Sequence, residues 1–493
     1  MSRPRVVILG GGACGMTAAL TLARAGTEVT VLEREPRPGG LCGTQEYRGF
    51  RFDLGGHRFI TRRPELEVLV RELVGQDLLM RTRSSVILHR GQRYRYPLDL
   101  EDVVRRFGLR RGAHAVASYL GERMRQRLGP EPDLSFEDWV AHRFGRVLYD
   151  AFFGPYTHKL WGIPPETISA DWAAERISLL DLSDVLWRLV GLRRSPDGTP
   201  RTYARRYLYP RRGIGQIFEH MGEAIGQAGG RVVTGALVVG LGLEHGRPAR
   251  LQYRDATGEH ELPCDAVIST LALPLLVRML GATRGRLDRE VECAAGRLRF
   301  RAIRLLNVLL DRPEVSPHTW MYVSEPRYLA ARIQEPRHRS PEAAPPGQTS
   351  LMLEIPCDVG DDVWCAPRQA LYERCMDDLE HLGLRGLRRD TIDCFDSFVE
   401  EGYPIYHLDY RRDRARALDF VSEVPGLVSC GRQGAFRYIF MDTAMAMGQR
   451  AAQAVLQSVG EPKPGAAGRP IGARDIADWG AEQGLIEARA LTA

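Results

Sequence analysis

Lysine is almost absent from this sequence. Of its 493 residues 68 are basic, yet only Lys159 and Lys463 are lysine and the other 66 are arginine. Such a bias is typical of a GC-rich genome, so it excludes little by itself. It does make each remaining lysine informative. Lys463 lies in a Pro/Gly-rich tail, whereas Lys159 lies in an aromatic segment discussed below.

Long apolar runs and paired cysteines are also missing. The most apolar stretch, residues 266–280, is interrupted by Pro274 and Arg278, and it falls short of the roughly 18 apolar residues that a membrane span needs. The nine cysteines are scattered without a Cys-x-x-Cys pair, which argues against a zinc site or a disulfide framework. No secretory signal is visible before the first strand-like segment. We therefore expect a soluble, cytoplasmic protein with reduced thiols.

The remaining composition is ordinary. The chain is 44% apolar and 26% charged, close to globular averages, and it is long enough for two packed lobes. The net charge of +6 is modest, and we find no basic helix or RNP-type aromatic pattern, so nucleic-acid binding is not expected. An anionic small-molecule substrate is compatible with this charge. The twelve histidines are dispersed without metal-ligand spacing, and no G-x-S-x-G nucleophile motif is present.

A glycine-rich turn between two predicted strands is the clearest motif. Residues 6–9 predict a buried strand, residues 13–25 an alanine-rich helix and residues 29–32 the next strand. The first turn is Gly10-Gly11-Gly12-Ala13-Cys14-Gly15, a G-x-G-x-x-G whose backbone and following helix N-terminus suit a pyrophosphate. Glu33, 18 residues after Gly15, stands where an acid binds the ribose of an adenosine. The motif predicts dinucleotide binding, with an ordinary βαβ turn as the alternative.

Two further steps of small residues follow this acid. The first runs from Arg34 to Gly39-Gly40-Leu41, and the second is Asp53-Leu54-Gly55-Gly56-His57. They resemble the FAD-binding start of the flavin amine-oxidase and protoporphyrinogen-oxidase superfamily, where both steps run beside the pyrophosphate and the flavin ring. Small residues are needed there because a side chain would collide with the extended cofactor. The resemblance implies FAD contacts from both steps, although Leu41 stands where many members have an arginine.

Two later blocks match the same superfamily. Residues 229–238 resemble the strand whose final valine, Val238, packs on the adenine side of FAD. Residues 431–442 resemble the C-terminal block that returns to the flavin, and it contains Gly431, Arg432, Met441 and Asp442. Three matching blocks in the expected order predict FAD, bound non-covalently, as the cofactor.

A second glycine-rich turn is a weaker nucleotide-loop candidate. Gly240-Leu241-Gly242 with Gly246 resembles such a loop, but residues 247–253 predict a strand and not a helix. A turn without a following helix N-terminus lacks the positive end that would bind a phosphate. We therefore expect a β-hairpin, no dedicated NAD(P)H domain, and electron transfer to oxygen, a quinone or another protein.

The segment from Phe152 to Pro165 combines aromatic residues, closely spaced prolines and Lys159. It resembles the Y-T-x-K-x-W-G segment of UDP-galactopyranose mutases, whose tryptophan, here Trp161, lies beside the substrate. A desolvated lysine can hold an anion or a water near flavin N5, so both residues are catalytic candidates; the alternative is a helix end packed by Trp161. The mutase pattern R-I-P-V-R is Arg176-Ile177-Ser178-Leu179-Leu180 here. The missing second arginine argues against the same substrate.

Four other residues are individually weaker candidates. His57 could face the flavin ring or be a satisfied histidine at the domain boundary. Tyr403, in a Tyr-Pro pair that also resembles the mutases, could donate a hydrogen bond to substrate or pack in a sheet. Arg332 and Arg337 could bind an anionic group. Because arginine is so abundant here, we expect these two to lie on solvated faces.

These observations predict an α/β fold. The predicted protein is a two-lobed flavoprotein with a Rossmann-like (GR2-type) FAD-binding domain, residues 1–64, 205–285 and 425–460. Residues 65–204 and 286–424 would form a mixed α+β substrate lobe, and residues 461–493 a loosely ordered tail. The first hypothesis for function is an FAD-dependent oxidoreductase that removes hydride from a small molecule at flavin N5. The alternatives are a redox-neutral nucleotide-sugar mutase and a binding or escort protein without turnover.

Overall fold

The structure, a computed structural model, describes residues 3–96, 108–176, 206–459 and 473–478. Its strands, β1 to β19 in chain order, are Arg5–Leu9, Glu28–Leu32, Thr44–Tyr47, Phe50–Asp53, Leu78–Thr82, Ser85–His89, Gln92–Arg95, Arg206–Pro210, Arg231–Val233, Leu237–Glu244, Arg247–Asp255, Gly258–Pro263, Ala266–Ser269, Phe300–Leu310, Trp320–Val323, Arg332–Gln334, Thr349–Cys357, Thr391–Pro404 and Leu427–Ser429. Its α-helices, α1 to α17, are Ala13–Arg24, Pro64–Val74, Leu109–Leu128, Phe136–Phe144, Arg146–Leu148, Gly154–Trp161, Ala170–Arg176, Gln216–Gln227, Leu273–Arg284, Arg289–Arg297, Asp362–Cys365, Arg368–His381, Leu387–Asp390, Tyr410–Ser422, Gly431–Gly434, Met441–Val459 and Ala473–Asp478.

Five parallel strands form the sheet of the first lobe, in the order β19-β13-β1-β2-β9. The apolar run at residues 6–9 makes β1 its central strand, with every side chain almost completely buried, as expected for a parallel sheet covered on both faces. Helix α1 packs against α16 and α8. The register pairs Leu9 with both Leu32 and Ser269, so the loops after β1, β2, β13 and β19 meet at one edge of the sheet.

The second lobe contains a seven-stranded mixed sheet, in the order β18-β14-β17-β16-β15-β6-β7. Side chains alternate between its two faces. Met321 and Val323 of β15 face a hydrophobic core that includes Leu371 and Met376 of α12. Trp320 and Tyr322 therefore point to the opposite face, which lies toward the first lobe.

The predicted α/β class with a parallel sheet is confirmed. The second glycine-rich turn is a hairpin, as expected, because β10 and β11 pair antiparallel with Glu244 opposite Arg247. The domain boundaries stay a prediction, with the strands of the first sheet coming from residues 5–32, 231–269 and 427–429. Within the described residues, no helix is both long and apolar enough to cross a bilayer.

Helices α4 and α5 are separated at Gly145, where φ is +80° and an added Cβ would lie 2.8 Å from the backbone nitrogen of Tyr119. One local expectation needs correction. The tail is not loosely held throughout, since α17 docks with Ile476 and Ala477 fully buried. Lys463 and the rest of the tail, like residues 177–205, lie outside the described residues.

Candidate active site

The glycine turn between β1 and α1 leaves room only for backbone. Gly10 has a φ of +97°, and a Cβ there would lie 2.3 Å from Oγ1 of Thr270. A Cβ on Gly15 would lie 2.0 Å from the carbonyl oxygen of Gly10. Helix α1 then begins at Ala13 after Gly12, with no side-chain cap and no acidic residue in its first turn. The N–H groups of its first turn and its positive end can donate hydrogen bonds to a phosphate.

The predicted ribose acid is held against this turn. Oε2 of Glu33 accepts a hydrogen bond of 2.6 Å from the backbone N–H of Gly11, and Oε1 accepts one of 2.9 Å from the N–H of Glu35. Burial raises the pKa of the Glu33 carboxyl, and the two backbone N–H groups oppose that rise. Arg34 next to it is exposed and pairs with Glu35 at 3.3 Å.

The first small-residue step lies directly on the glycine turn. The backbone N–H of Gly39 donates to the carbonyl of Gly11 at 2.8 Å, and a Cβ on Gly40 would lie 3.0 Å from Cα of Gly12. Leu41, the residue without the expected arginine, packs half-buried on the core of the first lobe. Val238 on β10 is also half-buried against that core. These contacts bring side-chain-free backbone of two segments together at the glycine turn.

The C-terminal block closes the same edge of the sheet. Gly431 approaches Cys14, whose Cβ would lie 3.2 Å from a Cβ at residue 431, and the buried thiols of Cys14 and Cys430 are 3.4 Å apart. Arg432 donates to the carbonyl of Ile439 at 2.7 Å. Met441 and Asp442 are both buried where α16 begins.

The second step of small residues, Gly55 and Gly56, contacts the second lobe. A Cβ on Gly56 would lie 1.9 Å from Cη2 of Trp320, so the indole packs directly against the backbone of Gly56. His57 follows, and its buried Nδ1 has no hydrogen-bond partner among the residues that the structure describes. Burial lowers the pKa of His57 to about 3, helped by the guanidinium groups of Arg432 and Arg339. Its imidazole is therefore neutral at physiological pH.

A buried ion pair stands on the sheet face next to that step. Arg332 of β16 lies opposite Glu354 of β17, and Nη2 of the arginine is 2.5 Å from Oε2 of the glutamate. The same Nη2 donates to the hydroxyl of Tyr403, while Gln334 donates to the other oxygen of Glu354. Burial lowers the pKa of Arg332, but the carboxylate outweighs it and the pKa ends well above its ordinary value. Sequence analysis placed this arginine on a solvated face, which is wrong, because its side chain is only 12% exposed.

Four aromatic rings form a wall beside this pair. Trp161, at the end of α6, meets Trp172 edge to face at 4.7 Å and Tyr403 at 5.9 Å. Tyr403 stacks on Tyr438 at 5.2 Å. The indole N–H of Trp161 is buried without a hydrogen-bond partner among the described residues. Trp161 and Tyr403, separated by more than 200 residues in sequence, thus meet with Arg332 in one site.

Positive charge is concentrated around the ring of Trp320. The guanidinium carbons of Arg58, Arg332 and Arg339 lie 5.9, 5.7 and 5.6 Å from its centroid. Both Nη atoms of Arg339 and Nε of Arg332 are buried, and none of the three has a hydrogen-bond partner in the part of the chain that the structure describes. Among the described residues, Glu354 pairs with Arg332 and Asp53 lies 3.8 Å from Arg339. The site therefore contains buried guanidinium groups with N–H donors that are available to bind an anionic group.

Lys159 does not reach this site. Its ammonium donates to three backbone carbonyls of the β15–β16 connection, those of Val323, Glu325 and Ala330, at 3.1, 3.1 and 2.7 Å. Burial lowers its pKa to about 7. The geometry gives the lysine a structural role, tying α6 to the second sheet, and no contact supports the predicted catalytic one. Arg337 is likewise structural, because it donates to the carbonyls of Pro345 and Gln348.

Replacing Lys159 with methionine should therefore reduce stability and leave chemistry intact. Loss of the ammonium leaves three carbonyl oxygens without their donor, which we expect to lower the unfolding free energy by about 2–4 kcal/mol. Thermal unfolding and flavin absorbance of the purified variant would be compared with those of His158→Met, a change at the exposed neighbouring residue. A normal unfolding temperature with lost turnover would instead restore the catalytic assignment.

Several residues of the site were missed or misjudged from sequence. Glu354, Trp320 and Arg339 were not candidates. The available signal was the alternation in β15 and β16, where Trp320, Tyr322, Arg332 and Gln334 occupy every second position. Strand alternation places such residues on one face, but it does not indicate which face lines a site.

Residues 13–456 match the family of flavin containing amine oxidoreductases. Over 445 residues the chain is 27% identical to a phytoene dehydrogenase from Streptomyces griseus, which covers 78% of this chain and 79% of that protein. The fold is similar to that of reduced UDP-galactopyranose mutase, with a TM-score of 0.78 and 22% identity over 93% of this chain and 96% of the other. It is also similar to a proposed protoporphyrinogen oxidase from Exiguobacterium sp. 255-15, with a TM-score of 0.71 and 19% identity over 92% and 99% of the two chains. The chain therefore belongs to the flavin containing amine oxidoreductases and is an FAD-dependent enzyme.

Proposed function

We propose that this enzyme is an oxidoreductase that removes hydride from an anionic small molecule held between its two lobes. The observation that carries the proposal is the enclosed guanidinium of Arg332, oriented by Glu354 and Tyr403 and with Nε unused. A cationic amine would meet the guanidinium groups of Arg58, Arg332 and Arg339 around Trp320 there. An apolar substrate would leave their donors unsatisfied, at a cost of about 1–3 kcal/mol for each group.

The residues of this chain would position the substrate and exclude water. Arg332 can grip a carboxylate or phosphate oxygen through its free Nε, because Nη2 is already fixed. The unpartnered indole N–H of Trp161 supplies a second donor, and the surrounding rings close the site to solvent. His57, neutral at physiological pH, can donate or accept a hydrogen bond at Nδ1 without adding charge.

The glycine-rich segments of the first lobe would hold the FAD. The backbone of residues 10–15 and the N-terminus of α1 suit its pyrophosphate, Glu33 suits its adenosine ribose, and residues 55–57 lead to its ring. When bound, FAD supplies a two-electron acceptor for hydride. Orientation of the substrate carbon and exclusion of water fall to the aromatic and arginine residues of the lobe interface.

A redox-neutral rearrangement of a nucleotide sugar is the second candidate. The observation that favours it is the meeting of Trp161, Tyr403 and Arg332, since the first two lie in segments that resemble the sugar mutases. The likeness to reduced UDP-galactopyranose mutase shows the fold alone. Arg176 ends α7, and residues 177–180, which replace the rest of the mutase pattern, lie outside the described residues.

Anaerobic spectroscopy of the purified holoenzyme tests the choice between the two. The panel contains carboxylate-bearing porphyrinogens, phosphorylated alcohols, amines and nucleotide sugars. We expect an anionic compound to bleach the flavin band near roughly 450 nm, and amines to leave it unchanged. Bleaching by amines alone would overturn the anionic assignment. Product formation only after reduction by dithionite, with the flavin still reduced afterwards, would favour the mutase.

The arginine itself provides a second measurement. Arg332→Gln should weaken binding of the anionic compound about 10- to 100-fold, the value of a charged hydrogen bond. Arg327→Gln is the matched control, because Arg327 lies on the connection between the same strands but is 64% exposed. Equal affinities for the two variants would show that the substrate does not use Arg332.

A further inference from the structure

The outer face of helix α3, residues 109–128, carries an unusual row of exposed apolar side chains. Leu120, Met124 and Leu128 are 53, 66 and 85% exposed. They follow one another at intervals of four residues, so they lie on one side of the helix. An α-helix turns by about 100° per residue, which places the buried residues Ala115 and Tyr119 on the opposite side of the helix from this row. The row therefore faces away from the rest of the described residues.

Arginines border this row on both sides. Arg123 and Arg127 follow its length on one side, and Arg125 lies on the other. Counting Arg110 and Arg111, the helix carries five arginines and a single acidic residue, Glu122. Sequence analysis found no basic helix, which is wrong here, because the general abundance of arginine masks this local cluster. Long arginine side chains beside an apolar row can extend their charged ends past it.

The geometry points to docking of this face on the surface of an anionic lipid bilayer. Apolar side chains with flanking arginines are typical of helices that lie in the plane of a membrane, with the apolar row at the acyl boundary and the arginines at the headgroups. Because the helix carries five arginines, it would lie on the bilayer surface and not cross the bilayer. A second copy of this chain fits less well, because its arginine rows would meet those of the first copy.

The inference does not depend on the reaction that the enzyme catalyses. It concerns a helix outside the residues assigned to FAD and substrate, so surface docking and turnover can be tested separately. An interfacial position would bring the enzyme to substrates dissolved in or bound to a membrane, and it would make its location depend on lipid charge.

Flotation of the holoenzyme with vesicles tests the proposal. Vesicles of phosphatidylcholine with 30% phosphatidylglycerol, a composition chosen as roughly physiological in charge, are compared with pure phosphatidylcholine. We expect binding to the anionic vesicles that weakens as salt rises. Because each arginine near an anionic surface contributes about fivefold in binding, Arg123→Gln with Arg127→Gln should reduce the partition coefficient about 25-fold.

A second pair of variants separates apolar insertion from charge alone. Leu120→Ser with Met124→Ser should abolish most vesicle binding, while Val68→Ser, which removes an exposed apolar residue on α2, should not change it. Flavin absorbance and unfolding temperature of each variant confirm that it is folded. Absence of binding to anionic vesicles, or unchanged binding by the Leu120/Met124 variant, would overturn the proposal. A concentration-dependent dimer that this variant loses would assign the face to a second copy.

Discussion

Gly15→Ala is expected to weaken the binding of FAD strongly. The added Cβ would lie 2.0 Å from the carbonyl oxygen of Gly10 and 3.2 Å from the side chain of Ile8. Neither neighbour can yield, because Gly10 belongs to the turn itself and Ile8 is fully buried in β1. The start of α1 must therefore move away from the turn, and the N–H groups that would face the pyrophosphate move with it. Overpacking of this kind costs about 1–3 kcal/mol or more.

The corresponding loss of FAD affinity is about a hundredfold at the upper end of that range. It can be measured by reconstituting the apoprotein with FAD and following flavin fluorescence. Gly222→Ala is the matched control, since it adds the same methyl to a glycine on α8, where the nearest atom outside its own helix is Cε of Met16 at 3.6 Å. If both variants bind FAD as tightly as the wild type, the turn does not hold the pyrophosphate.

The glycine turn could be predicted because all of its parts are close in sequence. Residues 6–9, the six-residue turn and Glu33 span fewer than thirty positions, and the role of each follows from spacing alone. The structure adds the hydrogen bond from Gly11 to Glu33, which fixes the acid against the turn. The α/β class could therefore be predicted from the sequence, and the FAD contacts of these residues stay a prediction.

The lobe interface could not be predicted in the same way. Arg332 and Glu354 are 22 residues apart and meet only through the register of β16 and β17. In a chain with so many arginines, nothing in the sequence distinguishes a buried guanidinium from a solvated one. Lys159 was a catalytic candidate because lysine is rare in this chain. Its partners are three backbone carbonyls more than 160 residues away. Because every residue has a backbone carbonyl, the residue types at those three positions do not indicate that they bind a lysine.

The ion pair at the interface gives the second large expected effect. Glu354→Gln keeps the shape and the acceptor oxygen but removes the charge that compensates Arg332. Breaking a buried pair on one side costs about 3–5 kcal/mol, because the remaining charge is buried without a partner. The backbone N–H of Gly56 also contacts this carboxyl group, so the change should disturb the step of small residues beside His57 as well.

The double variant Glu354→Gln with Arg332→Met should be more stable than Glu354→Gln alone. Removing both charges removes the desolvation cost, and buried pairs replaced by neutral residues often lose little stability. We expect the double variant to lie within about 2 kcal/mol of the wild type, while losing affinity for the anionic substrate. Denaturant unfolding of the four holoproteins completes the cycle. Additive losses in the double variant would mean that Arg332 and Glu354 are each held by other partners. The guanidinium would then be free of the carboxylate that orients it toward substrate.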